Sequence, residues 1–184
     1  MPDNDSILIG GIEQRPIEIH DYSPAWSAQF QLHAARIAAA LGPAALRIEH
    51  IGSTSVPGLA AKPIIDILLV VQNSADESTC LPQLEAAGYQ LRVREPDFHQ
   101  HRMFRTPQRD VHIHIFSPGC PEIDRYLLLR NHLRTTPAAR AQYESLKRHL
   151  ATKQWPDMNA YAAAKTDLIE SLITAARTAT ANQS

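Results

Sequence analysis

The chain has 184 residues, with 18 lysines and arginines against 19 aspartates and glutamates and a formal net charge of −1. This length suits one sizeable hydrophobic core, the balanced charge excludes a global positive field for nucleic acid, and no segment approaches the about 20 apolar residues of a membrane span. Cys80 and Cys120 lie far apart without CxxC spacing, so we expect a cytoplasmic protein that binds neither nucleic acid nor a membrane.

The N-terminal quarter predicts a leader, a strand and a long helix. Residues 1–15 lack a sustained periodicity and are expected to form a flexible leader. Residues 16–20 alternate apolar and polar side chains, which predicts a short strand. Ser23 as N-cap and Pro24 at the first helical position start a helix with apolar residues at three- and four-residue steps. Gly42, followed by proline, ends this helix.

The middle of the chain predicts a β-sheet. A strand over 46–51 is followed by the run 64–71, which is apolar and rich in β-branched residues except at Asp66. Such a run is typical of a central strand buried on both faces. A short helix is expected over 76–87. Further strands are predicted over 89–94, 102–106 and 111–116.

After residue 118 the pattern becomes helical. Helices are predicted over 122–134, 137–152 and 157–178. Strands with crossover helices followed by helices alone indicate an α+β protein. We expect a single domain, in which residues 16–121 form an α/β core and residues 122–184 form a C-terminal helical part packed on it.

Gly52, Ser53 and Asp66 suit the binding of phosphate and metal. Glycine lets the backbone approach a phosphate closely, while the serine hydroxyl and the free N–H groups can donate to its oxygens. A carboxylate in an apolar strand is costly to bury unless it meets a metal or a positive partner. The plain alternatives are a structural loop for the glycine-serine pair and an arginine-paired Asp66. Leu68, on the same side of the strand as Asp66, offers no ligand.

A histidine pair in the strand over 111–116 supplies further ligands. His112 and His114 project from one face of this strand at roughly 7 Å spacing, which suits a metal, a phosphate or proton transfer. The plain alternative is a solvent-facing strand surface. If the strands of Asp66 and His114 are neighbours, the three residues form one site. His99 and His101 share the spacing but lie in loop-like surroundings, and Glu49 and His50 precede the Gly52 turn.

Four segments together resemble the GrpB family, also called UPF0157, of small bacterial and fungal proteins. They read HIGSTSVPGLAAKPIIDI over 50–67, VHIHI over 111–115, LRNHLR over 129–134 and AYAAAK over 160–165. The resemblance extends from about Ile17 to Ala176. It implies membership of the nucleotidyltransferase superfamily, with a polymerase-β-like mixed sheet, flanking helices and a C-terminal helical extension. Similar domains are also found fused to dephospho-coenzyme A kinase.

The resemblance assigns roles to individual residues. Gly52 and Ser53 match the superfamily's glycine-serine turn, and Asp66 matches its first metal-binding acid. The second acid has no match at Leu68, and His112 or His114 would replace the third. The residues expected to be catalytic are Asp66 and His114, and those expected to hold metal are Asp66, His112 and His114. The residues expected to bind substrate or phosphate are Gly52, Ser53, Thr54, Lys62, Arg102, Arg130 and Lys147, with Arg134 and Lys165 as further helical cations near the cleft.

The sequence therefore predicts a metal-dependent nucleotidyltransferase that uses a nucleoside triphosphate and a small-molecule acceptor. The expected cofactor is Mg²⁺ or Mn²⁺. A transition metal remains an open alternative, because magnesium tolerates imidazole ligands poorly. One alternative is a catalytically degenerate module of the same fold that binds a nucleotide or a protein partner. Another alternative is a metal-dependent hydrolase built on Asp66, His112 and His114.

Overall fold

A five-stranded mixed sheet forms the centre of the protein, for which a computed structural model describes residues 7–181. Its strands are β1 (Arg47–Ile51), β2 (Ile65–Val70), β3 (Gln90–Glu95), β4 (His101–Arg105) and β5 (Val111–Phe116). They lie in the order β1-β2-β5-β4-β3. The central pair, β2 and β5, is parallel, whereas all other neighbours are antiparallel.

Helices cover both faces of this sheet. They are α1 (Ala25–Leu41), α2 (Leu81–Ala86), α3 (Pro121–Thr135), α4 (Pro137–Ala151), α5 (Met158–Ala163) and α6 (Thr166–Ala181). Pro121 and Pro137 occupy the first positions of α3 and α4, where proline's missing N–H has no intrahelical partner to lose. None of the helices in the described part is long and apolar enough to cross a membrane.

The two-residue period of the strands separates two kinds of packing. On one face, Ile67 and Ile113 belong to the main hydrophobic core, to which α1 contributes Trp26 and Ile37. Burying each such side chain stabilises the fold by about 1.5–3 kcal/mol. The opposite face carries Asp66, His112 and His114, with a smaller apolar cluster towards β1 and α3. The three candidate site residues therefore lie on one face of the sheet.

Most predicted elements are confirmed, and three differ. The predicted strand over 16–20 is reduced to one bridge between His20 and Ala61. The helix predicted from 76 begins at Leu81, because Asp76 instead caps a 3₁₀ turn over Glu77–Thr79. The helix predicted over 157–178 is two helices, α5 and α6. No glycine or proline marks that break, so the pattern of the sequence did not reveal it.

The N-terminal segment is attached to the sheet from residue 8 onwards. Leu8 forms a bridge with Val93 on β3, and the Arg92 guanidinium donates hydrogen bonds to the carbonyls of Ile9 and Gly11. Glu13 pairs with Arg105 on β4. Residues 8–13 of the predicted leader therefore contact β3 and β4, and residues 1–6 lie outside the described part.

Candidate functional site

The sheet brings one carboxylate and two imidazoles together. Asp66 on β2 pairs in register with His112 on β5, and His114 follows on the same face. Asp66 Oδ1 lies 3.6 Å from His112 Nδ1 and 3.8 Å from His114 Nε2. One ligand atom from each residue lies within 4.8 Å of the other two, which is compatible with ligands at about 2.0–2.4 Å from a shared ion. The expected adjacency of the Asp66 and His114 strands is confirmed.

Asp66 is held in its charged form. Loss of hydration raises the pKa of Asp66, but the two neighbouring imidazoles, His112 and His114, outweigh this effect and hold that pKa well below its usual range. A carboxylate that stays ionised at neutral pH can act as a metal ligand without first losing a proton.

The position two residues after Asp66 is sealed from this site. Leu68 is fully buried, with 0% of its surface exposed, and packs with Ile51, Phe116 and Ile123 of α3. A carboxylate at Leu68 would lie beneath a helix in an apolar cluster. The apolar packing around Leu68 therefore leaves no room for a second metal-binding carboxylate at this position of β2.

Gly52 makes room for the Asp66 carboxylate. Its φ is +67°, and a Cβ at this position would lie 2.3 Å from Asp66 Oδ2. No side chain fits at that distance, and a positive φ is itself costly for other residues. One reason for a glycine at position 52, expected from the sequence, is the close approach of the backbone to a phosphate. The short distance to Asp66 is a second, independent reason why only glycine fits at this position.

Buried polar contacts fix the turn after Gly52. Thr54 Oγ1 donates to the carbonyl of Ile64 and lies 3.1 Å from His50 Nε2. The His50 ring stacks on Phe30 at 4.7 Å between centroids, and burial lowers the pKa of His50 to about 4. His50 is thus a neutral structural group. Arg134 of α3 clamps the same turn by donating two hydrogen bonds to the carbonyl of Ser55.

A cavity of about 170 Å³ opens beside Asp66 and the Gly52 turn. We call it the lysine cavity, because three lysines, Lys62, Lys147 and Lys165, line it. Its other walls include Ser53, Thr54, His112, Tyr143 and Tyr161.

The lysines have few partners within the protein. Lys147 is 3% exposed, and its ammonium group donates to the carbonyl of Ala60 and lies over the Tyr143 ring. The ammonium groups of Lys62 and Lys165 lie 4.9 and 4.0 Å from the centre of the Tyr161 ring. Burial, together with the neighbouring positive charges, lowers the pKa of Lys147 and of Lys165 to about 7. Such a cluster favours an anionic ligand.

Tyr161 has an unused hydroxyl at this cavity. Its side chain is buried, and the hydroxyl finds no hydrogen-bond partner among the described residues. Burial raises the pKa of Tyr161 to about 12, so the hydroxyl keeps its proton. Buried polar atoms are nearly always satisfied, so an unpaired hydroxyl in a residue that lines the lysine cavity is unusual.

A chain of side chains supports His114 from behind. Glu95 Oε2 lies 2.6 Å from His101 Nδ1, and His101 Nε2 lies 3.1 Å from His114 Nδ1 with the two rings only 11° from parallel. If Glu95 accepts from Nδ1–H of His101, then His101 accepts from Nδ1–H of His114. With an ion between Asp66 and His114, this tautomer would present the Nε2 lone pair of His114 to that ion, as a metal ligand requires.

Two of the predicted cations are not brought to the lysine cavity. Arg102 lies opposite Ile115 on the other face of the sheet and pairs with Glu77 at 2.6 Å. Arg130 donates to Glu49 and to the carbonyl of His50. Both guanidinium groups are therefore committed to structural ion pairs.

Sequence reasoning missed two residues and gave His101 too little weight. Tyr143 lies in none of the quoted segments and Tyr161 was quoted without a role, and only the tertiary approach of α4 and α5 to β2 reveals them. His101 had a detectable signal, since it begins a strand whose alternation continues through Met103 and Arg105 on the face of His114.

Comparisons with known proteins agree on a family. The family model described as GrpB protein matches residues 16–175. A UPF0157 protein of Halalkalibacterium halodurans is 49% identical over 157 residues, covering 85% of this chain and 80% of that protein. The crystal structure of the conserved protein GrpB from Enterococcus faecalis superposes with a TM-score of 0.78 at 36% identity, covering 86% of this chain and 96% of the other.

A more distant structural similarity identifies the type of fold. The Cid1 poly(U) polymerase, in its MgGTP-bound structure, is similar with a TM-score of 0.50 at 16% identity, covering 73% of this chain and 44% of the polymerase chain. Together with the mixed sheet and its helices, this likeness gives a nucleotidyltransferase-like α+β fold, as the sequence predicted.

Proposed function

The chain belongs to the GrpB family, and we propose that it is a metal-dependent nucleotidyltransferase that transfers a nucleotidyl group from a nucleoside triphosphate to a small acceptor. One observation carries the proposal: Asp66 both groups with His112 and His114 and lines the lysine cavity. Metal ligands and phosphate-binding cations thereby share one wall, which is the arrangement that phosphoryl chemistry needs.

The donor set favours a borderline metal over magnesium. Two imidazoles and one carboxylate suit Mn²⁺, Zn²⁺ or another transition metal, whereas Mg²⁺ prefers oxygen ligands. Asp66, His112 and His114 would hold the ion. When bound, it would supply positive charge that withdraws electrons from phosphorus and neutralises phosphate oxygens.

The residues of the chain supply the rest of the chemistry. The triphosphate lies along the Gly52-Ser53 turn, where Lys62, Lys147 and Lys165 neutralise its charge. An oxygen or nitrogen of the acceptor bonds to the α-phosphorus, the bond from that phosphorus to the bridging oxygen breaks, and pyrophosphate leaves. The acceptor's proton passes to solvent. The lysines stabilise the charge that builds on the leaving pyrophosphate.

The decisive experiment measures binding and turnover together. Each nucleoside triphosphate is titrated calorimetrically in the presence of Mn²⁺, Zn²⁺ or Mg²⁺, and pyrophosphate release is followed over a library of small acceptors. Asp66→Ala is expected to abolish metal-dependent binding and release. Asp97→Ala, which removes an exposed carboxylate in the loop before β4, serves as the matched control and should retain both activities.

The sealed position at Leu68 favours one competing function, a nucleotide- or partner-binding module of the same fold. Tight metal-dependent nucleotide binding that Asp66→Ala abolishes, without pyrophosphate release over any acceptor, would establish that function instead. Hydrolysis of the nucleotide by water alone would establish the metal-dependent hydrolase.

A further inference from the structure

A second cavity, of about 300 Å³, lies against the same metal-ligand group. It shares Lys62, Asp66 and His112 with the lysine cavity and then extends along β3, β4 and β5 beneath the N-terminal segment and α5. We call it the sheet cavity. The two cavities therefore meet at Asp66 and His112, two of the three residues proposed to hold the metal.

The walls of the sheet cavity are largely apolar. Side chains from the N-terminal segment, two strands and α5 form them, namely Leu8, Ile12, Val93, Met103, Met158 and Ala162. None of the described residues lining it is a phenylalanine, tyrosine or tryptophan. A nucleobase, which proteins commonly hold by stacking on such rings, finds none of these three side chains there.

Positive charge accompanies these apolar walls. Arg92 donates to backbone carbonyls of the N-terminal segment, and Arg105 pairs with Glu13. Asp157 accepts from the backbone of α5 as its N-cap. Arg15 is different, because its guanidinium makes no hydrogen bond or ion pair with any described residue and lines the cavity.

We propose that the sheet cavity receives the acceptor, and that the acceptor is a small organic anion with an apolar portion whose anionic group binds Arg15. The assignment as acceptor rests on the proposed nucleotidyl transfer. In that reaction the attacking and leaving atoms lie roughly in line on opposite sides of phosphorus. With the leaving pyrophosphate among the lysines, the attacking group must come from the other side of Asp66, which the sheet cavity occupies. Guanidinium is the side chain best suited to bind carboxylate or phosphate through two parallel hydrogen bonds.

The methionines offer a direct readout of this cavity. The chain has three methionines, and two of them, Met103 and Met158, line the sheet cavity. Full-length protein carrying ¹³C-methyl methionine is titrated with hexanoate, without nucleotide or metal. Met103→Leu and Met158→Leu assign the two signals. Hexylammonium, which has the same apolar chain and the opposite charge, is titrated as the control probe.

Hexanoate is expected to shift both methyl signals saturably, and hexylammonium is not. Arg15→Gln should weaken hexanoate binding about tenfold, since a charge-assisted pair is lost. Arg177→Gln, at an exposed position on α6, should leave it unchanged. Equal binding of hexylammonium, an unaffected Arg15→Gln variant, or shifts caused by adenosine instead of hexanoate would each overturn the proposal.

Failure of this proposal is distinguishable from failure of nucleotidyl transfer. If triphosphate binds and hexanoate leaves both methyl signals in place, the acceptor assignment is overturned and the nucleotide site stands. If hexanoate shifts both signals and no triphosphate binds, the sheet cavity is confirmed as an organic-anion site and its assignment to an acceptor is overturned.

Discussion

At the level of single residues, the Asp66 carboxylate is closely surrounded by other groups. Its carboxylate faces two imidazoles on one side and the backbone of Gly52 on the other. Any change that pushes the carboxylate away from His112 and His114 should therefore act on metal binding before it acts on the core.

Gly52→Ala is expected to weaken metal binding at least tenfold, because its Cβ would overlap Asp66 Oδ2, at 2.3 Å. The positive φ adds about 1–2 kcal/mol of lost stability. Gly58→Ala is the matched control, since Gly58 also has a positive φ of 77° but open space around the added Cβ. Metal titration and denaturant unfolding of both variants make the comparison; equal metal affinity in the two would contradict the clash.

Glu95→Ala is expected to reduce affinity for Zn²⁺ or Mn²⁺ by about tenfold or more, the usual effect of losing a group that orients a histidine ligand. The half-buried Glu95 holds His101, and His101 contacts His114. Competition with a chelating dye measures the affinity. Glu85→Ala removes an exposed glutamate on α2 as the control. An affinity equal to that of the control would show that the chain of side chains does not orient the ligand.

At the level of elements, the lysine cavity forms where the C-terminal helices pack against the sheet near β2. Lys147 comes from α4, Lys165 from the break between α5 and α6, and Lys62 from the loop before β2. Each lysine is far from the others in sequence, and burial together with their mutual repulsion lowers the pKa of Lys147 and of Lys165.

Nucleotide affinity is expected to fall as pH rises from about 7.5 to about 9, by up to about tenfold per unit for each proton taken up. Burial and neighbouring charge lower the pKa values of Lys147 and Lys165 to about 7, so both lysines are mostly unprotonated over this range in the empty protein. A bound triphosphate raises these pKa values again, so binding takes up protons. Calorimetry in buffers of different ionisation enthalpy counts them.

The control for this pH dependence uses methionine substitutions. Lys165→Met should reduce the proton uptake and flatten the pH profile, whereas Lys153→Met, at an exposed position after α4, should not. A profile unchanged by Lys165→Met would assign the proton uptake to other groups.

At the level of the whole molecule, the C-terminal helices complete both the core and the site. Val56 and Leu59, in the loop after the Gly52 turn, pack with Leu133, Tyr143 and Leu172 of α3, α4 and α6. The same helices bring Lys147 and Tyr143 to the lysine cavity. The α/β core and the helical part are therefore expected to unfold together.

The two tryptophans test this cooperativity. Trp26 lies in the main core under the sheet, and Trp155 packs against Tyr161 in the helical part. In Trp155→Phe the fluorescence reports only the first region, and in Trp26→Phe only the second. Each variant is expected to show a single transition whose fluorescence coincides with its far-ultraviolet circular dichroism. Separate transitions would indicate two independently folding units.

The sequence by itself determined the family and the face of each strand. A two-residue period places Asp66 on one side of β2 and His112 and His114 on one side of β5, whatever the surroundings. The long segment around Gly52 identified the fold that makes these strands neighbours. The metal-ligand group was therefore predictable on the condition that these strands are neighbours, which the pairing of β2 with β5 establishes.

Only the tertiary structure decided which cations line the lysine cavity. Lys147 enters the lysine cavity whereas Arg102 and Arg130 form ion pairs elsewhere, although all three are cations in regular elements. The side of a helix that meets a sheet, and the partner that reaches a guanidinium first, depend on packing between segments distant in sequence. Local periodicity carries no information on such contacts, and for the same reason the sheet cavity beneath residues 8–15 could not be predicted.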